Sequence, residues 1–208
     1  MKNFTKTSAN TEILVITDRS GSMGSIAKDV IGGYNRFLED QQAVDGEARV
    51  TFAQFDDIYE LVYEGRPLAQ APKLSDKTFV PRGMTALNDA IGKTLTTQKQ
   101  RIEKEGWADL VIVCIITDGQ ENASKEYKLD QIKALTSEAE GKGWKFIYLG
   151  ANQDSFAVTQ NLGITNTLSA AQANYTADAK GVGMAYANFS CATTALRSSV
   201  VRSEDQKE

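Results

Sequence analysis

The stretch Leu110-Val111-Ile112-Val113-Cys114-Ile115-Ile116-Thr117 has no polar side chain before its last residue. A strand with one face in water alternates apolar and polar positions; a strand that does not alternate must be covered on both faces. This run is therefore expected to be the central strand of a sheet with helices packed on either side. Parallel neighbours joined by helical crossovers are the usual way to build such a sheet.

The rest of the chain supplies matching parts. Apolar strand signals alternate with helical periodicity from one end to the other. A first strand is expected over 12–17, followed by a helix from about Ser25 with Ile26, Val30, Tyr34, Phe37 and Leu38 on one stripe. Gly32-Gly33 inside that helix lowers helical propensity and suggests close packing against the sheet. Residues 49–55 alternate as a strand, Asp56-Asp57 makes a turn, and 58–63 returns, so one antiparallel strand is expected at a sheet edge. All three prolines, Pro67, Pro72 and Pro81, fall within 64–83, which reads as a long irregular loop. Helices follow over 86–104 and 129–141, a strand over 145–149, a short helix over 155–161, a weak strand near 165–168 and a last helix over about 176–200. That helix would pack back through Phe189, Ala192, Leu196 and Val200. The expected fold is thus three-layer α/β, with a mostly parallel central sheet, one antiparallel edge strand and helices on both faces. No repeat or linker divides the 208 residues, so one domain is expected over 1–208, with a core of about 12–200 and polar tails at 1–10 and 202–208.

Composition narrows the chemistry. There is no histidine, which removes Ser-His-Asp and Cys-His triads, histidine general bases and nearly all ordinary zinc sites. A net charge of −4 gives no reason to expect nucleic-acid or anionic-membrane binding as the main task. The longest apolar run is too short to span a bilayer, and residues 1–10 lack the apolar stretch of a signal peptide. Cys114 lies in the central strand and Cys191 in the last helix; both read as small core residues of a reduced, cytoplasmic protein.

The informative residues stand at strand ends. Ligands of open parallel sheets bind outside the carboxyl ends of the strands, and two strands end in an acid there, Thr17-Asp18 and Thr117-Asp118-Gly119. If the two strands are neighbours, the carboxylates approach each other and need a cation or a proton between them. Ser20 and Ser22 add hydroxyls, and Thr85, in Arg82-Gly83-Met84-Thr85-Ala86, adds a third at the mouth of the long loop. Five hard oxygen donors from three loops outline a site suited to a magnesium-like cation. Each has a simpler reading. Asp18 is a possible helix N-cap, Ser20 and Ser22 commonly satisfy loop backbone, Thr85 could cap the next helix, and Asp118 could be a turn former. Asp154 reads as the cap of the short helix beside Asn152, and Asp56-Asp57 as a turn.

In order and context, Asp18-Arg19-Ser20-Gly21-Ser22-Met23, Gly83-Met84-Thr85-Ala86-Leu87 and Ile115-Ile116-Thr117-Asp118-Gly119 resemble the von Willebrand factor A (vWA) family over about residues 12–200. The resemblance implies a metal-ion-dependent adhesion site (MIDAS). Ser20, Ser22 and Thr85 would then supply hydroxyl ligands, and Asp18 and Asp118 would coordinate directly or through water. The metal would be Mg2+, with Mn2+ or Ca2+ as alternatives. Its open position would take an Asp or Glu carboxylate of a protein partner, so the function implied is binding and not catalysis. Some stand-alone intracellular members in bacteria and phages work with ATPases or in stress-response assemblies, and the resemblance offers an ATPase or assembly component as one partner class here. Arg19, Met23, Arg82, Met84, Gln120, Glu121 and Asn122 are candidates for the rim of the partner surface. Two rival readings are a phosphoryl-transfer enzyme using Asp18 as nucleophile and a structural domain with an unused site. Against the first, haloacid-dehalogenase-like phosphatases carry a second aspartate where Ser20 stands, and receiver domains need a lysine that Leu149-Gly150-Ala151-Asn152 does not offer.

Overall fold

The computed structural model describes residues 9–151, 154–165 and 172–205, with the backbone alone for 172–174 and 201–205. Among the described residues six strands form one sheet: β1 (Thr11–Asp18), β2 (Ala48–Phe55), β3 (Tyr59–Pro67), β4 (Leu110–Thr117), β5 (Lys145–Ala151) and β6 (Gln172–Tyr175), in the order β3-β2-β1-β4-β5-β6. Every pairing is parallel except β2 with β3, the antiparallel edge. The helices are α1 (Ala27–Gln42), α2 (Leu87–Glu105), α3 (Leu129–Gly141), α4 (Ser155–Asn161) and α5 (Ala179–Asp205). This is the three-layer arrangement the central run required.

The two faces of the sheet explain the lack of alternation in β1 and β4. Ile13, Val15, Ile112, Cys114 and Ile116 pack with α1 and α5 in one core cluster. Leu14, Ile16, Val111, Val113 and Ile115 pack with α2, α3 and the segment around Leu162 in the other. Because side chains alternate along a strand, both faces can be buried only if every position is apolar. The stripe expected on α1 is the buried one: Val30, Tyr34, Phe37 and Leu38, with Ile26 in a tight turn (Gly21–Ile26) just before the helix. On α5, Phe189, Ala192 and Leu196 are buried and Val200 packs against the same cluster.

Several local expectations are corrected. Gly33 serves a helix–helix contact and not a helix–sheet one. A Cβ there would lie 2.6 Å from Tyr186 Cγ and 3.0 Å from its Cβ, whereas at Gly32 it would meet nothing within 4 Å. The long loop begins later than expected, because residues 64–67 extend β3 and Pro67 ends it at the sheet edge, where its missing N–H costs least. The loop itself is firmly packed. Leu74 and Phe79 are buried against α1 and its neighbours, and Asn35 on α1 exchanges two hydrogen bonds with the Leu74 backbone, at 2.8 and 2.9 Å. Cys191 is exposed, on the outer side of α5, while Cys114 is buried as expected. The strand expected near 165–168 falls mostly outside the described residues, and the sixth strand is Gln172–Tyr175. The last helix starts later than expected and runs on to Asp205, into the segment expected as a polar tail; residues 1–8 and 206–208 of the expected tails lie outside the described residues. No helix among the described residues is long and apolar enough to cross a membrane.

Candidate metal centre

The strand order reverses between β1 and β4, since β1 continues to β2 on one side and β4 to β5 on the other. Crossovers from the two strands leave on opposite faces there, and a crevice opens at the carboxyl end. The register puts Thr17 opposite Ile116, which makes Asp18 level with Thr117 and brings Asp118 just beyond. Asp18 is fully buried. Its Oδ1 accepts the Ser20 N–H at 2.6 Å, and its Oδ2 accepts the Thr117 hydroxyl at 2.6 Å. Ser20 and Ser22 hydroxyls lie 3.0 Å apart, and the Ser22 hydroxyl donates to Asp118 Oδ1 at 2.6 Å. That last bond joins the loops after β1 and β4.

Thr85 enters from a third loop. The simpler reading, a helix cap, is not what the structure contains: α2 starts after Ala86 and has no side-chain cap bond. The Thr85 side chain is buried and points toward the other donors. A Cβ on Gly119 would sit 2.8 Å from Thr85 Oγ1 and 3.5 Å from Asp18 Oδ2, so only glycine leaves the space beside these two oxygens clear. Gly119, Thr117 and Asn122 complete the arrangement. The Thr117 hydroxyl accepts the Gly119 N–H at 3.1 Å, and Asn122 Oδ1 accepts the Thr85 N–H at 2.9 Å. The loop after β4 is fastened to the start of α2 by two further acids. Asp89 accepts the N–H groups of Lys125, Glu126 and Tyr127, and Glu121 accepts those of Asn88, Ala123 and Ser124.

All five expected site residues therefore stand at one sheet edge. The rim candidates divide. Met84 and Gln120 are exposed there, whereas Met23 is core and Glu121 and Asn122 have the loop-fastening roles just described. Arg19 is only 5% exposed; its Nε donates to Asp56 Oδ2 at 3.1 Å and its Nη1 to Glu60 at 2.6 Å. Arg82 is half exposed and also donates to Asp56 Oδ2, at 2.8 Å. Asp56-Asp57 is the hairpin turn expected of it, with the Ile58 N–H on Asp56 Oδ1 at 2.7 Å. Its second role, holding two arginines, was not read from sequence. The available signal was position: β2 is the neighbour of β1 and its last residue pairs with Asp18, so Asp56 emerges at the same edge. Asp154 caps α4, accepting from Phe156 and Ala157 at 3.1 and 3.2 Å; Asn152 lies outside the described residues.

The electrostatics suit a cation. Burial is the main cause that lifts Asp18, to about 6; hydrogen bonds from Thr117 and Ser20 oppose it, and the neighbouring Asp118 adds to it. Asp118 is also raised, by burial above all, against the pull of the Ser22 hydroxyl. Among the described residues no group of three or more His, Cys, Asp or Glu could hold a metal. The cup is instead two carboxylates and three hydroxyls, an all-oxygen donor set that fits a hard divalent ion.

No protein-family model matches the sequence, and no curated protein does. Solved structures do. The vWF domain of the type V pili tip protein Mfa5 from Porphyromonas gingivalis superimposes with a TM-score of 0.64 at 11% identity, covering 91% of this chain and 97% of that one. Proximal thread matrix protein 1 from the mussel byssus, in a form with a zinc-occupied MIDAS motif, gives 0.59 at 13% identity over 90% of this chain. This chain spans 46% of that protein's length. Manganese-loaded TRAP protein of Plasmodium vivax gives 0.57 at 16% identity, covering 85% of this chain and 72% of that one. Likeness at this identity establishes a fold and nothing finer. The chain has the fold of a von Willebrand factor A domain, with Asp18, Ser20, Ser22, Thr85 and Asp118 gathered at the carboxyl edge of its sheet.

Proposed function

We propose that this chain is a metal-dependent protein-binding module that holds Mg2+ at Asp18, Ser20, Ser22, Thr85 and Asp118. The observation that carries the reading is the convergence of three loops on one oxygen-lined cup, joined by the Ser22–Asp118 bond at 2.6 Å. A bound cation would supply an open coordination position for an Asp or Glu side chain of a partner. The protein's own groups favour that outcome. Three of the five donors are neutral hydroxyls, so the two carboxylates do not overwhelm a divalent charge, and an outside carboxylate is still attracted. Mn2+ and Ca2+ would fit the same donors, and the solved structures with zinc and manganese at such folds support divalent binding in general.

The reading is recognition without turnover. A nucleophilic Asp18 is disfavoured because Ser20 stands where haloacid-dehalogenase-like phosphatases carry their second aspartate. An exposed free thiol at Cys191 suits a reducing compartment and supports a cytoplasmic location. The partner class is a protein with an accessible carboxylate, such as an ATPase or an assembly subunit. The experiment is affinity enrichment in magnesium and in chelator, with wild type beside Thr85→Ala, and thermal unfolding of both in the same buffers. The expected result is a partner retained only by wild type in magnesium, together with a magnesium-dependent rise in its melting temperature. Equal retention by both proteins in both buffers would overturn the reading. Phosphatase turnover abolished by Asp18→Asn would favour the enzyme instead.

A further inference from the structure

The hydroxyl donors come from two loops that share no secondary structure, 19–26 and 80–86. Something must fix the distance between them, because a cation bound by both tolerates little slack. Backbone contacts do part of this. Arg19 N–H donates to Phe55 O at 2.7 Å, Arg82 N–H to Arg19 O at 2.8 Å, Gly21 N–H to Gly83 O at 3.2 Å, and Ala86 N–H to Asp56 O at 2.9 Å. Gly83 has φ +66°, and a Cβ on it would run into the Asp57 carboxylate, so the second loop crosses the hairpin at the closest approach a chain allows.

One side chain spans both loops. The Asp56 carboxylate is fully buried, and a single oxygen, Oδ2, receives Arg19 Nε from the first loop and Arg82 Nε from the second. Its other oxygen holds the hairpin through Ile58 N–H. Arg19 is further oriented by Glu60, which in turn accepts from Gln54 on β2 at 3.1 Å. Arg19 Nη2 is buried with no hydrogen-bond partner among the described residues. A buried guanidinium that leaves one nitrogen unmatched is costly; Arg19 is held inside by the Asp56 contact. Both arginines are spaced to act on ligands: Arg19 immediately precedes Ser20, and Arg82 lies three residues before Thr85.

We infer that Asp56 is a positioning residue for the metal cup: through Arg19 and Arg82 its buried carboxylate locks the Ser20–Ser22 loop to the Thr85 loop at the separation that cation binding requires. The inference rests on the metal-binding reading above. It differs from a merely structural role in where the effect falls. Loss of the clamp lets the two loops separate, so it weakens the cation more than it weakens the fold.

The test is calorimetric titration of Mn2+ into the full chain, with unfolding in chelator as the fold control, for wild type, Thr85→Ala, Asp56→Asn, Arg82→Gln and Arg82→Lys. Loss of such supporting contacts costs metal sites about 10- to 100-fold in affinity, and Asp56→Asn is expected in that range. Arg82→Gln, at a half-exposed position that leaves Asp56 its bond from Arg19, is expected to weaken Mn2+ several-fold with only a small drop in the metal-free melting temperature. Arg82→Lys, which keeps a cation against Asp56, should recover most of that loss. If Asp56→Asn does not fold, the Arg82 pair decides alone. Wild-type binding abolished by Thr85→Ala but unchanged in Asp56→Asn or Arg82→Gln overturns the clamp and leaves the metal site standing. Absence of Mn2+ binding in wild type overturns both.

Discussion

Gly32 and Gly33 are neighbours in α1 whose replacement by alanine should move stability in opposite directions. Both are interior helical positions, where Gly→Ala gains about 1 kcal/mol from reduced backbone freedom. At Gly32 nothing lies within 4 Å of the new methyl, so the gain stands. At Gly33 the methyl would meet Tyr186 Cγ at 2.6 Å and Cβ at 3.0 Å, and another ring carbon closer still, against an ordinary carbon–carbon contact of about 3.5–4.0 Å. Tyr186 has little room to yield, because it is buried and packed beside Phe189. Overpacking of a tight core costs about 1–3 kcal/mol, and a clash with the root of a buried ring belongs near the top of that range. The propensity gain is common to both variants, so the difference between them isolates the clash, at about 3 kcal/mol. At about 2–4 °C per kcal/mol for a chain of this size, Gly32→Ala should melt about 6–12 °C above Gly33→Ala. Thermal or urea unfolding of the two variants beside wild type reads this directly. Equal melting temperatures would refute the claim that α1 and α5 touch through Gly33.

The site and the sheet each yield one more expected outcome. Gly119→Ala should reduce Mn2+ or Mg2+ affinity and destabilise the metal-free fold by about 1–3 kcal/mol, because the new methyl would meet the buried Thr85 Oγ1 at 2.8 Å and Asp18 Oδ2 at 3.5 Å; calorimetric titration checks it, and unchanged affinity would remove Gly119 from the cup. Glu12, buried in the central strands, is held above its ordinary value by burial, against the pull of Arg101 and Thr51. Its neutral form therefore favours folding: that contribution is complete below the unfolded-state value of about 4.3 and is lost as pH rises through the higher folded value. Glu12→Gln is neutral throughout, so its stability relative to wild type should climb from about pH 4 to pH 7 in urea unfolding; a flat or falling difference would mean that Arg101, 2.6 Å away, outweighs the burial.

The exposed face of Cys191 and the buried face of Met23 show where one-dimensional reading stops. Both lie in segments with mixed periodicity, and which side of a helix is covered depends on what packs against it. The same holds for Gly33, whose constraint comes from a tyrosine more than 150 residues away in sequence. Asp56 is the instructive case at the site. Its place in a hairpin turn was legible from the doublet and the flanking strands, but its hold on Arg19 and Arg82 depends on β2 lying beside β1, a pairing that no local pattern specifies.

What the sequence determined by itself is the set of parts. An unalternating β4 demanded helices on both faces, the stripe on α1 named its own buried residues, and the three motifs named the candidate oxygen donors. These are properties of short stretches, governed by side-chain period and by the chemistry of hard ligands. The tertiary structure alone decided that β1 and β4 are neighbours at the reversal point, so that Asp18 and Asp118 share one crevice. It also decided that Thr85 faces the cup instead of capping α2, and that a buried carboxylate on a third strand end bridges the loops. Those outcomes depend on strand order and loop crossing, which are set by the packing of the whole sheet and its helices.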